Sequence, residues 1–231
     1  GSFNNDAGFS IVSYTGTGSN GTIKHGLNSK PQVIFVKART GDTNWGTYHE
    51  ILGNTKFMRL NQTNAAETEA TFWNSTTATS SVFSVGSNIV TNWNTKTMIA
   101  YCFSEKQGYS KFGEKKGYSK FSSYTGNGNV NGSYIHLGFK PAWVMIKLTS
   151  GAGEDWKIYD DKRLGYNAAN KSLAANTNAA DSNSNISIDI LSSGFKNRNT
   201  SGALNSSGAT YIYMAFAENP FVTSTGVPAT A

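Results

Sequence analysis

Lys30-Pro31-Gln32-Val33-Ile34-Phe35-Val36-Lys37 and Lys140-Pro141-Ala142-Trp143-Val144-Met145-Ile146-Lys147 are one pattern written twice, and the pair decides the fold. In each, Lys-Pro opens a short apolar run that a second lysine closes. Successive apolar residues without the helical period read as a strand buried on both faces. Outward from this run, the same motifs return in the same order. Ser13-Tyr14-Thr15-Gly16 recurs as Ser123-Tyr124-Thr125-Gly126, each with a second glycine two residues on, Gly18 and Gly128. Trp45 and Tyr48 match Trp156 and Tyr159, and Thr63-Asn64-Ala65-Ala66 returns unchanged as Thr177-Asn178-Ala179-Ala180. Thr97-Met98-Ile99 through Phe103 and Glu105 matches Thr210-Tyr211-Ile212 through Phe216 and Glu218. Five ordered matches mark an internal duplication.

Both copies read as short strands rich in β-branched and aromatic residues, cut by Gly, Asn, Ser and Thr. In the first copy these are Phe9 to Gly16, Gln32 to Arg39, Trp45 to Leu52, Lys56 to Asn61, Ala70 to Trp73, Val82 to Val85 and Lys96 to Ser104. The second gives an equivalent set ending in Ala209 to Ala217, and a two-turn helix fits Asn167 to Ala175. The expected architecture is all-β: two tandem jelly-roll-like antiparallel β-sandwiches, over residues 1–113 and 114–231. At the junction, Glu105-Lys106-Gln107-Gly108-Tyr109-Ser110-Lys111-Phe112 is followed by Glu114-Lys115-Lys116-Gly117-Tyr118-Ser119-Lys120-Phe121, a local tandem duplication that lengthens the connector.

Composition narrows the function classes. Charged residues make up 15% of the 231, against about 25% in an average soluble domain. The net charge is +6, but the basic residues are scattered, the densest run being Lys115-Lys116 with Lys111 and Lys120 nearby. That argues against nucleic acid and is compatible with weak attraction to anionic polysaccharide. No apolar stretch approaches the roughly 18 residues of a membrane helix, so no membrane insertion is expected. The single cysteine, Cys102, lies in an apolar run and reads as a small buried hydrophobe.

Catalytic and metal signatures are sparse. His25, His49 and His136 have no metal-ligand spacing, and His25 and His136 fall at nearly equivalent places upstream of Pro31 and Pro141. No nucleophile elbow or Walker loop occurs, and Gly16-Thr17-Gly18, like Gly126-Asn127-Gly128, follows a strand without opening a helix and so reads as a hairpin turn, not a dinucleotide fingerprint. Neither metal nor cofactor is expected, and no enzymatic activity. Carboxylates gather only at Glu154, Asp155, Asp160 and Asp161, where a facing pair could hydrolyse glycosides. Trp45 and Trp156 belong to the shared frame, whereas Trp73 and Trp93 occur in the first copy alone, within Trp73-Asn74-Ser75 and Asn92-Trp93-Asn94. Aromatic faces flanked by amides suit sugars: the ring stacks on the apolar sugar face and the amides bond the hydroxyls. Trp73, Asn74, Trp93 and Asn94 are therefore the candidate ligand residues, with Glu154 and Asp155 as second choice.

Several of these blocks resemble a repeat in tail-associated proteins of tailed bacteriophages, frequent in marine phages. They are Ser13-Tyr14-Thr15-Gly16-Thr17-Gly18, Ser80-Ser81-Val82-Phe83-Ser84-Val85-Gly86, Ile99-Ala100-Tyr101-Cys102-Phe103, Gly138-Phe139-Lys140-Pro141-Ala142-Trp143-Val144 and Tyr211-Ile212-Tyr213-Met214-Ala215-Phe216-Ala217-Glu218-Asn219-Pro220-Phe221. The resemblance implies a virion structural or host-attachment role outside the cell and brings no catalytic residues. The expected function is a tail-fibre module that binds a bacterial surface polysaccharide or lipopolysaccharide. A homo-oligomer is expected, a trimer by preference, in contact with other virion proteins. The alternatives are a purely structural spacer or decoration module and a polysaccharide depolymerase.

Overall fold

Alternating burial along Thr97–Phe103, with Met98, Ala100 and Cys102 inward, is what a strand at the centre of a sandwich shows. In the computed structural model, which describes residues 1–109, 115–163, 167 and 169–217, this segment organises the first of two units, Gly1–Ser104. Its strands are β1 (Ser2–Asn4), β2 (Phe9–Thr15), β3 (Gly21–Lys24), β4 (Val33–Ala38), β5 (Gly46–His49), β6 (Lys56–Arg59), β7 (Glu67–Thr68), β8 (Val82–Val85) and β9 (Thr97–Phe103). Two single-turn helices, α1 (Ala70–Trp73) and α2 (Ile89–Asn92), flank β8. One sheet runs β1-β2-β9-β4-β5-β6-β7, and β3 pairs with β8 separately. First long strand against last, second against penultimate, is a jelly-roll-like winding. Ile34, Val36, Ala38, Met98 and Ala100 of the large sheet share one core with Phe57, Phe72, Trp73, Phe83 and Val85.

The second unit, Glu105–Ala231, repeats the winding. Its strands are β10 (Gln107–Tyr109), β11 (Lys115–Gly117), β12 (Ser119–Thr125), β13 (Tyr134–His136), β14 (Pro141–Leu148), β15 (Lys157–Asp160), β16 (Ala169–Ala174), β17 (Ser182–Leu191), β18 (Gly194–Asn197) and β19 (Thr210–Ala217). The order β12-β19-β14-β15-β16-β17-β18-β13 is a single antiparallel ribbon. Its register shifts within β16, between Ala169 and Lys171, and such irregularities let a strand turn a corner from one sheet to the next. The backbone of β10 and β11 pairs antiparallel within the duplicated connector. By its contacts this unit includes the connector from Glu105 onward.

Three local expectations are corrected. Ala70–Trp73 forms a helical turn rather than a strand, which swings both Phe72 and Trp73 into the core. Asn167–Ala175 is no helix: residues 169–174 form β16, pinned between β15 and β17. His25 and His136 are not equivalent. The His25 amide donates to Ser81 O at 3.3 Å and the Leu137 amide to Ser193 O at 2.8 Å, so His25 corresponds to Leu137. Accordingly His25 is buried and His136 exposed.

Burial on both faces of the Lys-Pro strand holds within the chain. Ile34 and Val36 face the core, while Val33 and Phe35 on the other face are also buried. Shielding of this strand therefore does not itself require another subunit. Cys102 is fully buried as expected, and burial raises its thiol to about 12, far from a reactive thiolate. Among the described residues no helix is long and apolar enough to cross a membrane.

Candidate functional site

The Ser-Tyr-Thr-Gly motif has a physical cause, and it builds one end of each unit. Tyr14 OH donates to Thr91 O, and Tyr124 OH donates to Leu204 O at 2.8 Å. Each tyrosine thus fixes the residue before a buried asparagine, Asn92 or Asn205. Asn92 Oδ1 accepts from Thr17 N at 2.8 Å, and its Nδ2 donates to Ser19 O at 2.7 Å and Gly86 O at 2.8 Å. Asn205 Oδ1 accepts from Asn127 N, and its Nδ2 donates to Asn129 O and Asn199 O, all at 2.9 Å. A buried carboxamide that satisfies loop backbone groups in this way rigidifies the loop. The glycines of the motif follow from the same packing. A Cβ on Gly16 would lie 2.1 Å from Trp93 O, and one on Gly126 2.2 Å from Ser206 O.

On this shared clamp the two units carry different turns. Equivalent backbone bonds align them: Thr95 N donates to Gly16 O and Gly208 N to Gly126 O, both at 2.9 Å. Trp93-Asn94-Thr95 of the first unit thus stands where the second has Ser206-Ser207-Gly208. Thr95 has φ 64° and Gly208 φ 72°. Only glycine enters this region freely, and a β-branched residue there is strained. Trp93 is half-buried, one edge against the core and its ring over Gly41, where a Cβ would come within 2.4 Å of the indole. Lys96 Nζ stands 5.4 Å from the ring centroid, a cation–π distance. Asn94 and Thr95 are exposed beside it. The turn therefore presents an indole edge, a carboxamide and an ammonium on a rigid base.

The structure keeps Trp93 and Asn94 together and removes Trp73 from the candidate ligand residues. Trp73 is 1% exposed and packs edge-on against Tyr48 at 5.6 Å, so its ring has no face for a sugar. Its Nε1 is buried with no hydrogen-bond partner among the described residues. Asn74, half-buried at φ 51°, ends α1, and its carbonyl accepts from Thr76 Oγ1 at 2.8 Å. Asn74 thus serves a local turn.

Asp155 is likewise engaged locally. It accepts from Asn176 Nδ2 at 2.8 Å and pairs with Lys157 Nζ at 3.2 Å, while Asn176 Oδ1 takes Trp156 N. The Asn176 hydrogen bond, aided by Lys157, holds its carboxyl below the usual range, the opposite of what a glycosidase proton donor needs. Glu154 lies against Gly202, whose missing Cβ would fall 2.2 Å from Oε1. Both acids also act on Lys147, a residue that sequence reasoning did not single out as a site. Lys147 is fully buried and donates to Leu148 O at 3.0 Å. Burial lowers its ammonium from 10.5 to about 8, against the pull of Glu154 and Asp155. The matching Lys37 donates to Thr43 O, so both units tuck away the lysine that closes the duplicated strand. Among the described residues no cluster of three or more His, Cys, Asp or Glu could hold a metal ion.

Comparison with known proteins gives one family. The model described as "Domain of unknown function (DUF7483)" matches residues 1–114 and again 112–220. No curated protein and no solved structure matches.

Proposed function

The chain belongs to the DUF7483 family twice over, and on that premise we propose that it is a non-enzymatic attachment module of a phage tail fibre or related virion appendage. It acts outside the cell and binds a bacterial surface polysaccharide or lipopolysaccharide. One observation carries the reading. Beneath the turn, Tyr14, Gly16 and Asn92 have exact counterparts in Tyr124, Gly126 and Asn205, yet at the turn itself Trp93-Asn94-Thr95 replaces Ser206-Ser207-Gly208. Divergence at an exposed turn on a constant base is how ligand specificity is placed on a scaffold. Strain held there, at Thr95, is a further mark of a site rather than of a frame. Assembly as a trimer with other virion proteins would multiply a weak single-site affinity by avidity.

The spacer reading draws support from the burial of Trp73, since it leaves Trp93 as the one candidate ligand tryptophan that reaches the surface. The two readings part on a glycan array probed with the full chain, with released sugar measured in the same wells. Attachment predicts selective binding without sugar release, lost in Trp93→Ala while the melting profile still shows a folded protein. Binding untouched by Trp93→Ala refutes the site, and silence across the array with a stable oligomer favours the spacer. Sugar release would indicate a depolymerase.

A further inference from the structure

A second surface, in the other unit, has the chemistry of a carbohydrate site of its own. On β13, Tyr134 and His136 alternate with the buried Ile135 and so share the outer face. Both are exposed, Tyr134 at 46%, and their rings lie 6.3 Å apart at 57°. Tyr134 OH joins Ser193 Oγ at 2.7 Å and His136 Nδ1 at 3.3 Å, which leaves imidazole Nε2 directed away from this chain of bonds. Strand pairing sets Lys196 directly opposite Tyr134 and Gly194 opposite His136. The glycine leaves the floor between the rings low, and on it a Cβ would meet Ile135 O at 2.0 Å and the Tyr134 ring at 3.2 Å. Lys120 Nζ reaches the rim, where it donates to His136 O at 2.9 Å. Arg198 extends the same face and is paired with Asp189 at 3.2 Å.

The first unit has nothing comparable. The alignment set by Ser81 and Ser193 places Thr22 at the position of Tyr134 and Lys24 at that of His136. The two aromatic rings, like Trp93, are therefore an addition to one copy, at a surface the fold does not need filled. Exposed tyrosine and imidazole rings offer stacking faces to the apolar side of a pyranose, with hydroxyl and ring N–H as hydrogen-bond groups. Lys120 and Lys196 flank them, while Arg198 farther along the face is paired with Asp189, which also lies across from Lys196, so that cations outnumber carboxylates three to one in this set. That excess selects an anionic ligand.

We propose that the Tyr134–His136–Lys196 platform is a binding site for acidic sugar residues, of the hexuronic or other carboxylated class. The proposal rests on the reading that the chain binds glycans, and names a second site and its ligand charge. The test uses the full chain against immobilised oligo-galacturonate, oligo-glucuronate and sialylated oligosaccharides, each beside its carboxyl-reduced neutral form, with single-stranded DNA as another polyanion. The expected result is at least tenfold preference for one of the carboxylated forms over its reduced partner. Tyr134→Ala and Lys196→Gln, at an exposed and a half-buried position, should each lower that binding about tenfold without changing the melting profile.

Equal binding of acid and reduced forms, indifference to both platform variants, or stronger retention on DNA each overturns the proposal. If binding is confined to neutral glycans and abolished by Trp93→Ala, the platform fails and the Trp93 reading stands. If carboxylated glycans bind through Tyr134 while Trp93→Ala has no effect on any ligand, the Trp93 site fails and the platform stands. Silence on every probe refutes both.

Discussion

Thr95→Gly should make the first unit more stable, and the amount can be worked from its counterpart. Thr95 and Gly208 occupy the same corner, with φ 64° and 72°, and donate the same backbone bond to Gly16 O or Gly126 O. The Thr95 side chain is exposed, so its removal forfeits little packing. An L-residue in the left-handed region costs about 1–2 kcal/mol. Against that, glycine loses about 0.5–1 kcal/mol more conformational entropy on folding. The difference leaves a gain of roughly 0.5–1 kcal/mol, or about 2–8 °C in the melting of a unit of this size. Urea unfolding of the full chain, with amide exchange reporting on residues 1–104, measures it. The mirror change, Gly208→Thr, should destabilise the second unit by about 1 kcal/mol or more, because it introduces the strain. A neutral or destabilising Thr95→Gly would refute the reasoning, since it would mean that the threonine side chain holds the turn. Thr95→Gly should also weaken glycan binding, by loosening the turn that carries Trp93.

Other changes test the frame and the buried charge. Lys147 ionises near 8 when folded and near 10.5 when unfolded, so the unfolded chain holds more protons between those values and stability must rise with pH across them. The Lys147 contribution alone is about 2 kcal/mol from pH 7 to 9.5, and a denaturation series should show it missing in Lys147→Met; an unchanged slope would place the ammonium in water. Asn205→Ala strands three backbone groups, Asn127 N, Asn129 O and Asn199 O, and should cost about 3 kcal/mol by denaturant unfolding, with faster amide exchange at residues 127–131; an effect below about 1 kcal/mol would mean the clamp is dispensable. Trp73→Ala should cost about 3–5 kcal/mol as a core deletion, yet leave glycan affinity per folded molecule unchanged; selective loss of affinity would return Trp73 to the site. Transplanting the turn, with Ser206→Trp, Ser207→Asn and Gly208→Thr, should confer on a Trp93→Ala chain part of the lost binding; no recovery in a folded protein would assign the ligand contacts to residues beyond the turn.

The frame was legible because it is written in features with few physical readings. The apolar runs at Val33–Val36 and Val144–Ile146 had to be strands, and their recurrence forced the duplication. Cys102 in its apolar run had to be buried, and is. Where two readings compete, sequence alone failed. Ala70-Thr71-Phe72-Trp73 is apolar enough for a strand, but the chain here turns through α1 so that Phe72 can stack on Phe57 at 3.5 Å, which carries Trp73 inward. Asn167–Ala175 has helix-forming alanines, yet pairing with β15 and β17 prevails over local propensity. The platform was out of reach for another reason. Tyr134 and Lys196 are 62 residues apart, and only the β13–β18 register makes them neighbours. The alternation Tyr134-Ile135-His136 was the one local signal, and it marks an exposed aromatic face only once the strand is known to lie on a sandwich surface.

The duplication also separates what sterics dictate from what is free to vary. Gly16 and Gly126 admit no side chain, because a carbonyl oxygen lies where the Cβ would be. Asn92 and Asn205 admit no apolar replacement, because several backbone groups of the loop depend on one carboxamide. Positions under such constraints agree between the copies. Trp93 and Ser206, Tyr134 and Thr22, and His136 and Lys24 are under neither constraint, and all six are exposed or half-buried. If divergence there were drift alone, polar residues would replace polar residues and the left-handed corner would keep its glycine. Instead each unit has gained bulky rings at a surface, the first beside a strained threonine and the second amid an excess of cations. Trp93 lays only one edge on the core, and the ring surface left exposed in both units is what the proposed glycan contacts would use. That asymmetry, in which each copy adds rings where the other has small, hydroxyl or charged side chains, fits a protein whose two units meet different chemical groups of one surface.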